Sequence, residues 1–367
     1  MTEKQRLGLI YGGRSGEHEV SLMSARSVLS VIDREKFEVI EIGITRQGQW
    51  FVGEDLWHSL KNEQFQNLTP AIFLPDPLRP GIYTQTDGKM VLHAPLDVVF
   101  PVMHGTYSED GTLQGLLELA DIAYVGAGVL GSAVCMDKGL FKDVMIANGI
   151  PTLAYRVFNR TNIEADLDKC VAESESIAPY PLFTKPANLG SSVGISKCSS
   201  RGDLVEGLME AAQYDRRIVV EEGVQNAREI EISVLGNEDP AASVPGEVVP
   251  KDIFYTYNEK YINDTADLLI PADLPEETIT EIQKLAAKAY KATDCAGMAR
   301  VDFLIDRDEG ILYLNEINTI PGFTKISMYP KLWEASGLTY RELIEKLIDL
   351  ALARKSQRDQ TEREFRS

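Results

Sequence analysis

The sequence predicts an α/β fold in its first third that gives way to α+β structure, and three observations carry that prediction. Residues 6–126 alternate apolar, β-branched runs with segments of helical periodicity, as a doubly wound sheet requires. From "MDKGLFKDVMIANGIPT" (136–152) onward, short strands follow one another with helices between them and the regular β-α beat is lost. The chain has 367 residues, enough to bury two or three separate cores.

The elements follow in order. "RLGLIYGG" (6–13) is a continuous apolar run that ends in two glycines, a buried strand entering a turn, and "HEVSLMSARSVLSVI" (18–32) has helical spacing. "FEVIEIGIT", "DVVFPVMHG" and "IAYVGAG" supply three more strands. Residues 53–90, rich in Pro, Asn and Asp, predict an irregular insertion. A helix then ends at Gly149 before Pro151. The strands "PLFTKPA", "SVGISKC", "RRIVVEEGV" and "REIEISVLG" come next, then a loop from Val249 to Ile270 and a helix from Glu276 to Ala292. Two strands, "GMARVDFLID" and "GILYLNEIN", precede a helical end that closes near Ala353, and the charged tail "RKSQRDQTEREFRS" is expected to fray.

Composition removes several function classes. No apolar run approaches the ~20 residues that span a bilayer, and the N-terminus lacks the apolar core of a signal peptide, so a cytoplasmic protein is expected. A net charge of −19 argues against a nucleic-acid or anionic-membrane partner, because both need basic surface. It leaves room for a small anion held by a few local cations. The four cysteines have no Cys-x-x-Cys spacing and read as free buried thiols.

"KPANLGSSVGISK" (185–197) is a donor-rich glycine hairpin, but Ile195 stands where a P-loop needs Lys-Ser or Lys-Thr. Backbone N–H groups of Gly190 to Val193, with Lys185 and nearby ammonium groups, would form an anion cradle. "GAGVLG" (126–131) matches a dinucleotide fingerprint, yet no acidic residue follows at ~20 residues, which leaves a structural turn. Strand alternation puts Leu312, Leu314, Glu316 and Asn318 on one face, and Arg300, Asp302 and Leu304 together on the next strand. A hairpin turn at "DRDEG" would set Arg300 opposite Glu316 with Asp302 diagonal. Two carboxylates and an amide oxygen, without His or Cys, suit Mg²⁺ shared with substrate phosphates, against the plainer reading of a solvated cross-strand ion pair. Glu221, Glu222 and Glu229 lie at strand ends, where they could accept from a base amine or ribose hydroxyls. Glu17 follows a Gly-rich turn at a helix start, where complementing the helix dipole is the simpler role. His18 and His104 are each a general base or a structural imidazole.

Together, "GGRSGEHEVSL", "HGTYSEDGTLQG", "CMDKGLFK", "KPANLGSSVGISK", "EEGVQNAREIE", "YNEKYI", "GMARVDF" and "LNEINTIPGFTKISMYP" resemble the D-alanine:D-alanine ligase family of ATP-grasp enzymes over residues 6–352. The resemblance implies three domains: an N-terminal α/β substrate domain (1–126), a central subdomain with a glycine-rich flap (127–220), and a C-terminal subdomain (221–367) with a lid at 251–269. It implies that ATP phosphorylates one D-alanine to an acyl phosphate, which a second D-alanine then attacks, for peptidoglycan precursor synthesis. Relatives that use D-lactate or D-serine as second substrate are the alternative.

The site residues carried over are these. Lys138, Lys185 and Lys260 meet phosphates, beside Ser192 and Asn315. Asp302, Glu316 and Asn318 hold two Mg²⁺ (or Mn²⁺) ions. Arg300 and the Gly322 amide stabilise the carboxylate and oxyanion, and Ser327 binds the second carboxylate. Glu17, supported by His104, anchors the first ammonium group, and Ser191 and Tyr261 link to Glu17. Glu221, Glu222 and Val224 meet adenine, and Glu229 the ribose. Glu222 departs from the commonest pattern, in which lysine or glutamine stands there. The resemblance also implies a homodimer, with D-alanine and ATP as its small-molecule partners.

Overall fold

The structure is a computed structural model that describes residues 4–249 and 267–362. Its first sheet holds β1 (Gln5–Gly12), β2 (Phe37–Ile44), β3 (Trp50–Val52), β4 (Thr69–Phe73), β5 (Ile82–Thr86), β6 (Lys89–Ala94), β7 (Val98–Val102) and β8 (Ala123–Tyr124). The order is β6-β5-β4-β3-β2-β1-β7-β8, parallel from β2 to β8 and antiparallel from β3 outward. Helices α1 (His18–Leu29), α2 (Leu56–Lys61) and α3 (Thr112–Leu119) connect it. Both faces of β1 are covered: Leu7, Leu9 and Tyr11 enter one core and Ile10 another, which is why the strand reads as an unbroken apolar run. The expected irregular insertion at 53–90 is instead ordered. Its short strands extend the sheet as an antiparallel wing, and prolines and turn residues mark the ends of the pieces.

The second sheet, ordered β11-β10-β12-β9, uses β9 (Tyr155–Asn159), β10 (Leu182–Pro186), β11 (Ser196–Cys198) and β12 (Arg217–Glu222). Before it run α4 (Val129–Met136) and α5 (Lys138–Ala147); α6 (Arg160–Ala165), α7 (Leu167–Glu175) and α8 (Arg201–Tyr214) cover its apolar face. "GAGVLG" is the turn that delivers α4: Gly126 has φ +100, and a side chain at Gly131 would meet the Asp294 carbonyl oxygen at 2.8 Å. Of the predicted strand "SVGISKC" only the last three residues pair, because Ser191, Ser192 and Gly194 take positive φ in the hairpin.

The third sheet contains β13 (Arg228–Gly236), β14 (Ala241–Ala242), β15 (Gly246–Val249), β16 (Asp267–Leu269), β17 (Gly297–Ile305) and β18 (Leu312–Asn318), backed by α9 (Glu276–Ala292). Most of the expected lid at 251–269, with Lys260 and Tyr261, lies outside the described residues. Its last three residues are β16, a strand rather than loop.

Register is where the sequence reading fails. Asp302 stands directly opposite Glu316, and Arg300 opposite Asn318, two residues from the expected pairing: the turn end already pairs one residue further on, Phe303 with Leu314, and a bulge that leaves Asn315 without a partner between Glu316 and Leu314 adds the second. One extra residue reverses side-chain parity. Leu312, Leu314 and Ile317 therefore share the apolar core, while Glu316 and Asn318 point to the opposite face, so the carboxylates do not continue the leucine face.

The chain ends with α10 (Met328–Ala335) and α11 (Tyr340–Arg358), the latter opened by a Thr339–Glu342 capping box. Helix α11 runs five residues past the predicted end, and the part of the expected tail that lies on it is tied down; residues 363–367 lie outside the described residues. Arg354 donates to the Gly126 and Tyr124 carbonyls at 2.5 and 3.1 Å, and Arg358 pairs with Glu118 and Asp121. Leu343, Ile344, Leu347 and Ile348 sit in the same core as Leu7, Leu9 and Phe100 of the first sheet.

Candidate active site

Two adjoining cavities collect most of the predicted residues. The larger, about 230 Å³, is bordered by Glu17, His104, Ser191, Arg300, Glu316, Asn318, Gly322 and Ser327. The smaller, about 80 Å³, is bordered by Lys138, Ser191, Ser192, Glu316 and Asn318. Glu316 and Asn318 border both, as do Glu109, Gly190 and Ser191, so the two cavities share a wall. A roomier groove of about 490 Å³ lies along α1 beside Arg26, Trp57, Lys61 and Lys325, and it holds none of the predicted residues.

Glu17 is buried at the start of α1, and its carboxylate accepts a short hydrogen bond from the Ser191 hydroxyl of the flap hairpin. The contact needs glycines around it: a Cβ at Gly105 would come within 2.6 Å of Glu17 Oε2, and one at Gly190 within 3.1 Å. His104 is buried with both nitrogens engaged. Nδ1 lies 3.0 Å from the Ile320 carbonyl and so donates to it, and Nε2 accepts from the Ser24 hydroxyl at 3.1 Å. Burial lowers its pKa, so the ring is a neutral brace between the first sheet and the 319–323 segment. His18 donates from Nδ1 to the Gly13 carbonyl at 2.9 Å and borders neither cavity.

On the third sheet, Arg300 forks onto Asp302 with two bonds of 2.7 Å, and Glu231 reaches its Nε at 3.0 Å. Asn318 donates to Asp302 at 2.9 Å. This set of carboxylate and amide oxygens, with no soft donor, fits a hard divalent cation, provided that Arg300 yields part of its hold on Asp302. Ser327 bonds Thr324 through N–H and hydroxyl contacts of 3.1 and 2.7 Å, and a Cβ at Gly322 would lie 2.8 Å from its Oγ.

Lys138 opens α5 behind Asp137, whose carboxylate caps the helix and is itself clamped by Arg217 at 2.9 Å. Its ammonium donates to the Leu189 carbonyl at 2.7 Å, and burial lowers its pKa. Lys185 pairs with Glu221, which also faces Lys142 at 3.0 Å. Burial alone would raise the Glu221 carboxyl, but the charges of Lys142 and then Lys185 outweigh it and hold the group at about 2. Lys185, Glu221, Glu222, Val224, Glu229 and Asn315 border neither cavity.

Sequence reading missed Glu109 and Glu231. Glu109 borders both cavities and accepts from the Gly105 and Ile320 amides at 2.6 and 3.3 Å. Burial, and then the Glu17 charge, raises its pKa to about 8. Its signal was its place inside "HGTYSEDG", five residues after His104. Glu231 could have been found by parity, two residues after Glu229 on one strand face.

Among the described residues, no helix is long and apolar enough to cross a membrane. Two family models match, "D-ala D-ala ligase N-terminus" over residues 6–127 and "D-ala D-ala ligase C-terminus" over 144–349. A D-alanine--D-alanine ligase of Thermoanaerobacter pseudethanolicus is 52% identical over 352 residues, covering 95% of this chain and 97% of that one. One of Heliobacterium modesticaldum is 48% identical over 362 residues, covering 98% of each. Among solved structures, the VanG D-Ala:D-Ser ligase of Enterococcus faecalis matches with a TM-score of 0.84 at 36% identity, covering 95% of this chain and 100% of that one. The D-alanine-D-alanine ligase of Coxiella burnetii matches at 0.82 and 35%, covering 97% of each. With models matching both its halves and relatives near half identity along almost its whole length, the chain belongs to the D-alanine–D-alanine ligase family.

Proposed function

We propose that the chain joins two D-alanine molecules to D-alanyl-D-alanine, converting ATP to ADP and phosphate, for peptidoglycan precursor synthesis. The observation that carries this is the wall shared at Glu316 and Asn318: an amino-acid-sized cavity with an acidic and a basic end adjoins one that holds Lys138 and the flap serines. A carboxylate in the first could reach a phosphate in the second.

Glu17, braced through its surroundings by His104, holds the ammonium group of the first D-alanine, and Arg300 its carboxylate. ATP transfers its terminal phosphoryl group to that carboxylate, giving an acyl phosphate. The amine of the second D-alanine, its carboxylate held by Ser327, attacks the acyl carbon, and phosphate leaves. Arg300 and the Gly322 amide face the oxyanion that grows in this step. Lys138, Lys185 and Lys260 neutralise phosphates, to which the Ser192 hydroxyl donates; Asn315 lies on the nucleotide side. Glu221, with Glu222 and Val224 through their backbones, receives adenine, and Glu229 the ribose. Asp302, Glu316 and Asn318 would hold two Mg²⁺ or Mn²⁺ ions, which neutralise charge on the transferring group. Ser191, and Tyr261 of the lid, tie the closing parts to Glu17. The proposed domains, 1–126, 127–220 and 221–367, follow the three sheets except that β12 (Arg217–Glu222) runs across the second boundary, and the protein acts in the cytoplasm as a homodimer.

The test is phosphate release with ATP, Mg²⁺ and D-alanine, with L-alanine as control and the products separated. Release that requires D-serine or D-lactate beside D-alanine would overturn the assigned second substrate; no release with any would overturn the activity.

A further inference from the structure

Lys142 is used by no step above, yet it is one of the largest fully buried side chains, at 1% exposure. Lysine is almost never so buried unless it is paired. It lies on α5 one turn beyond Lys138, with its ammonium 3.0 Å from Glu221 Oε2 and 5.8 Å from the centre of the Tyr155 ring. Lys185 pairs with the other oxygen, Oε1. One lysine would neutralise one carboxylate. A second ammonium leaves a net positive charge in the interior, and removing a charge from water is costly unless a partner compensates it.

The surplus makes sense if one lysine has to leave. Lys185 is on the flap side of the group, at the end of β10 and 13% exposed, whereas the Lys142 side chain is 2% exposed and has nowhere else to go. Should Lys185 turn toward a phosphate, Oε1 becomes available to a ligand while Oε2 keeps its counter-ion. Without Lys142, the same motion would strand a carboxylate in the interior, where it would take up a proton and present an O–H instead of a charged acceptor.

We propose that Lys142 is a positioning residue that keeps Glu221 a charged acceptor when Lys185 turns to the nucleotide's phosphates, so that the base site selects a purine with a 6-amino donor over one with a 6-oxo acceptor. This rests on the reading of Glu221 as the residue that meets the base. A charged carboxylate accepts from the amine of adenine and repels the carbonyl of hypoxanthine; a neutral acid can donate to that carbonyl and loses the preference.

The experiment is calorimetric binding of Mg-ADP and Mg-IDP to the full chain, with no turnover involved. Lys142→Met is expected to weaken ADP roughly tenfold, the effect of losing one charged hydrogen bond, while IDP is unchanged or tighter. Lys142→Arg, which keeps the charge, retains the preference for ADP, an outcome that mere loss of packing would not give. Lys142→Gln carries the same measurement if the methionine variant fails to fold. Glu221→Gln separates the two layers of the argument. If it abolishes the preference while the neutral Lys142 variants keep it, the role of Lys142 is overturned and the reading of Glu221 stands. If none of the variants changes the ADP to IDP ratio, Glu221 does not meet the base and both fall.

Discussion

Glu316 borders both cavities and faces Asp302 across the hairpin, so its charge sits where a phosphoryl group would cross. Glu316→Gln keeps the shape and removes the charge. Phosphate release should fall by orders of magnitude, with the melting temperature hardly moved. Near-normal turnover in that variant would sink the metal-ligand role. Glu109 gives a different signature. A glutamate of ordinary pKa 4.5 is here raised to about 8, so between those values the folded chain holds a proton that the unfolded chain has released. The stabilising contribution of this group is thus present at low pH and lost as pH rises through that window. Glu109→Gln should flatten the decline of the urea midpoint between about pH 5 and 8. An identical decline in both proteins would mean that the carboxyl is ionised throughout. At this scale the sequence was informative about residue types and poor about direction. Asp302, Glu316 and Asn318 stood out by chemistry, but the Asn315 bulge has no composition signal; the pairing moved by two residues in all, and the bulge's one extra residue reversed a face.

Among the elements, long apolar periods were legible because burial itself writes them: α9 has the bounds that its spacing predicts, and β13, β17 and β18 were all visible. What was not legible is structure built by pairing with distant segments. The strands of residues 69–94 are short, and β6 is largely exposed, so only their neighbours in the sheet make them strands. The flap shows the reverse case. Its glycines and serines predicted a hairpin correctly, because positive φ at Ser191, Ser192 and Gly194 leaves few alternatives. Gly194 sits against the end of α8, where a Cβ would meet Tyr214 at 2.6 Å and Pro186 at 2.9 Å. Gly194→Ala therefore has to push the flap off α8 as well as bear the cost of its φ of +70, about 1–2 kcal/mol. Because the hairpin forms no part of the apolar cores, the displacement should appear in the KM for ATP more than in the melting temperature. Steady-state kinetics beside a thermal melt measure both; an unchanged KM would mean that the hairpin does not close on the nucleotide.

The whole molecule is held together by a connection that neither half of the sequence discloses. Helix α11, at the far end of the chain, covers the face of the first sheet formed by Leu7, Leu9, Phe100 and Val102, and the 319–323 segment joins the same core through Ile320 and Phe323. Tyr340 donates to the Phe323 carbonyl at 2.5 Å, and His104 donates to that of Ile320, so the walls of the larger cavity come from both ends of the chain. Four side chains of α11, Leu343, Ile344, Leu347 and Ile348, are fully buried there. At ~1.5–3 kcal/mol for each buried aliphatic side chain, they contribute at least ~6 kcal/mol. A domain's net stability is only ~5–15 kcal/mol. Deleting residues 339–367 should therefore do more than trim a charged tail. The truncated chain is expected to lose its cooperative melt, and the first sheet, with Leu7, Leu9 and Phe100 uncovered, should bind a hydrophobic dye. Deleting only residues 360–367, beyond α11, should leave both unchanged. Calorimetry and dye fluorescence on the two truncations distinguish the cases: a cooperative transition of ordinary midpoint in the longer deletion would show that the first sheet folds without the end of the chain, and that the shared core is a contact between finished units.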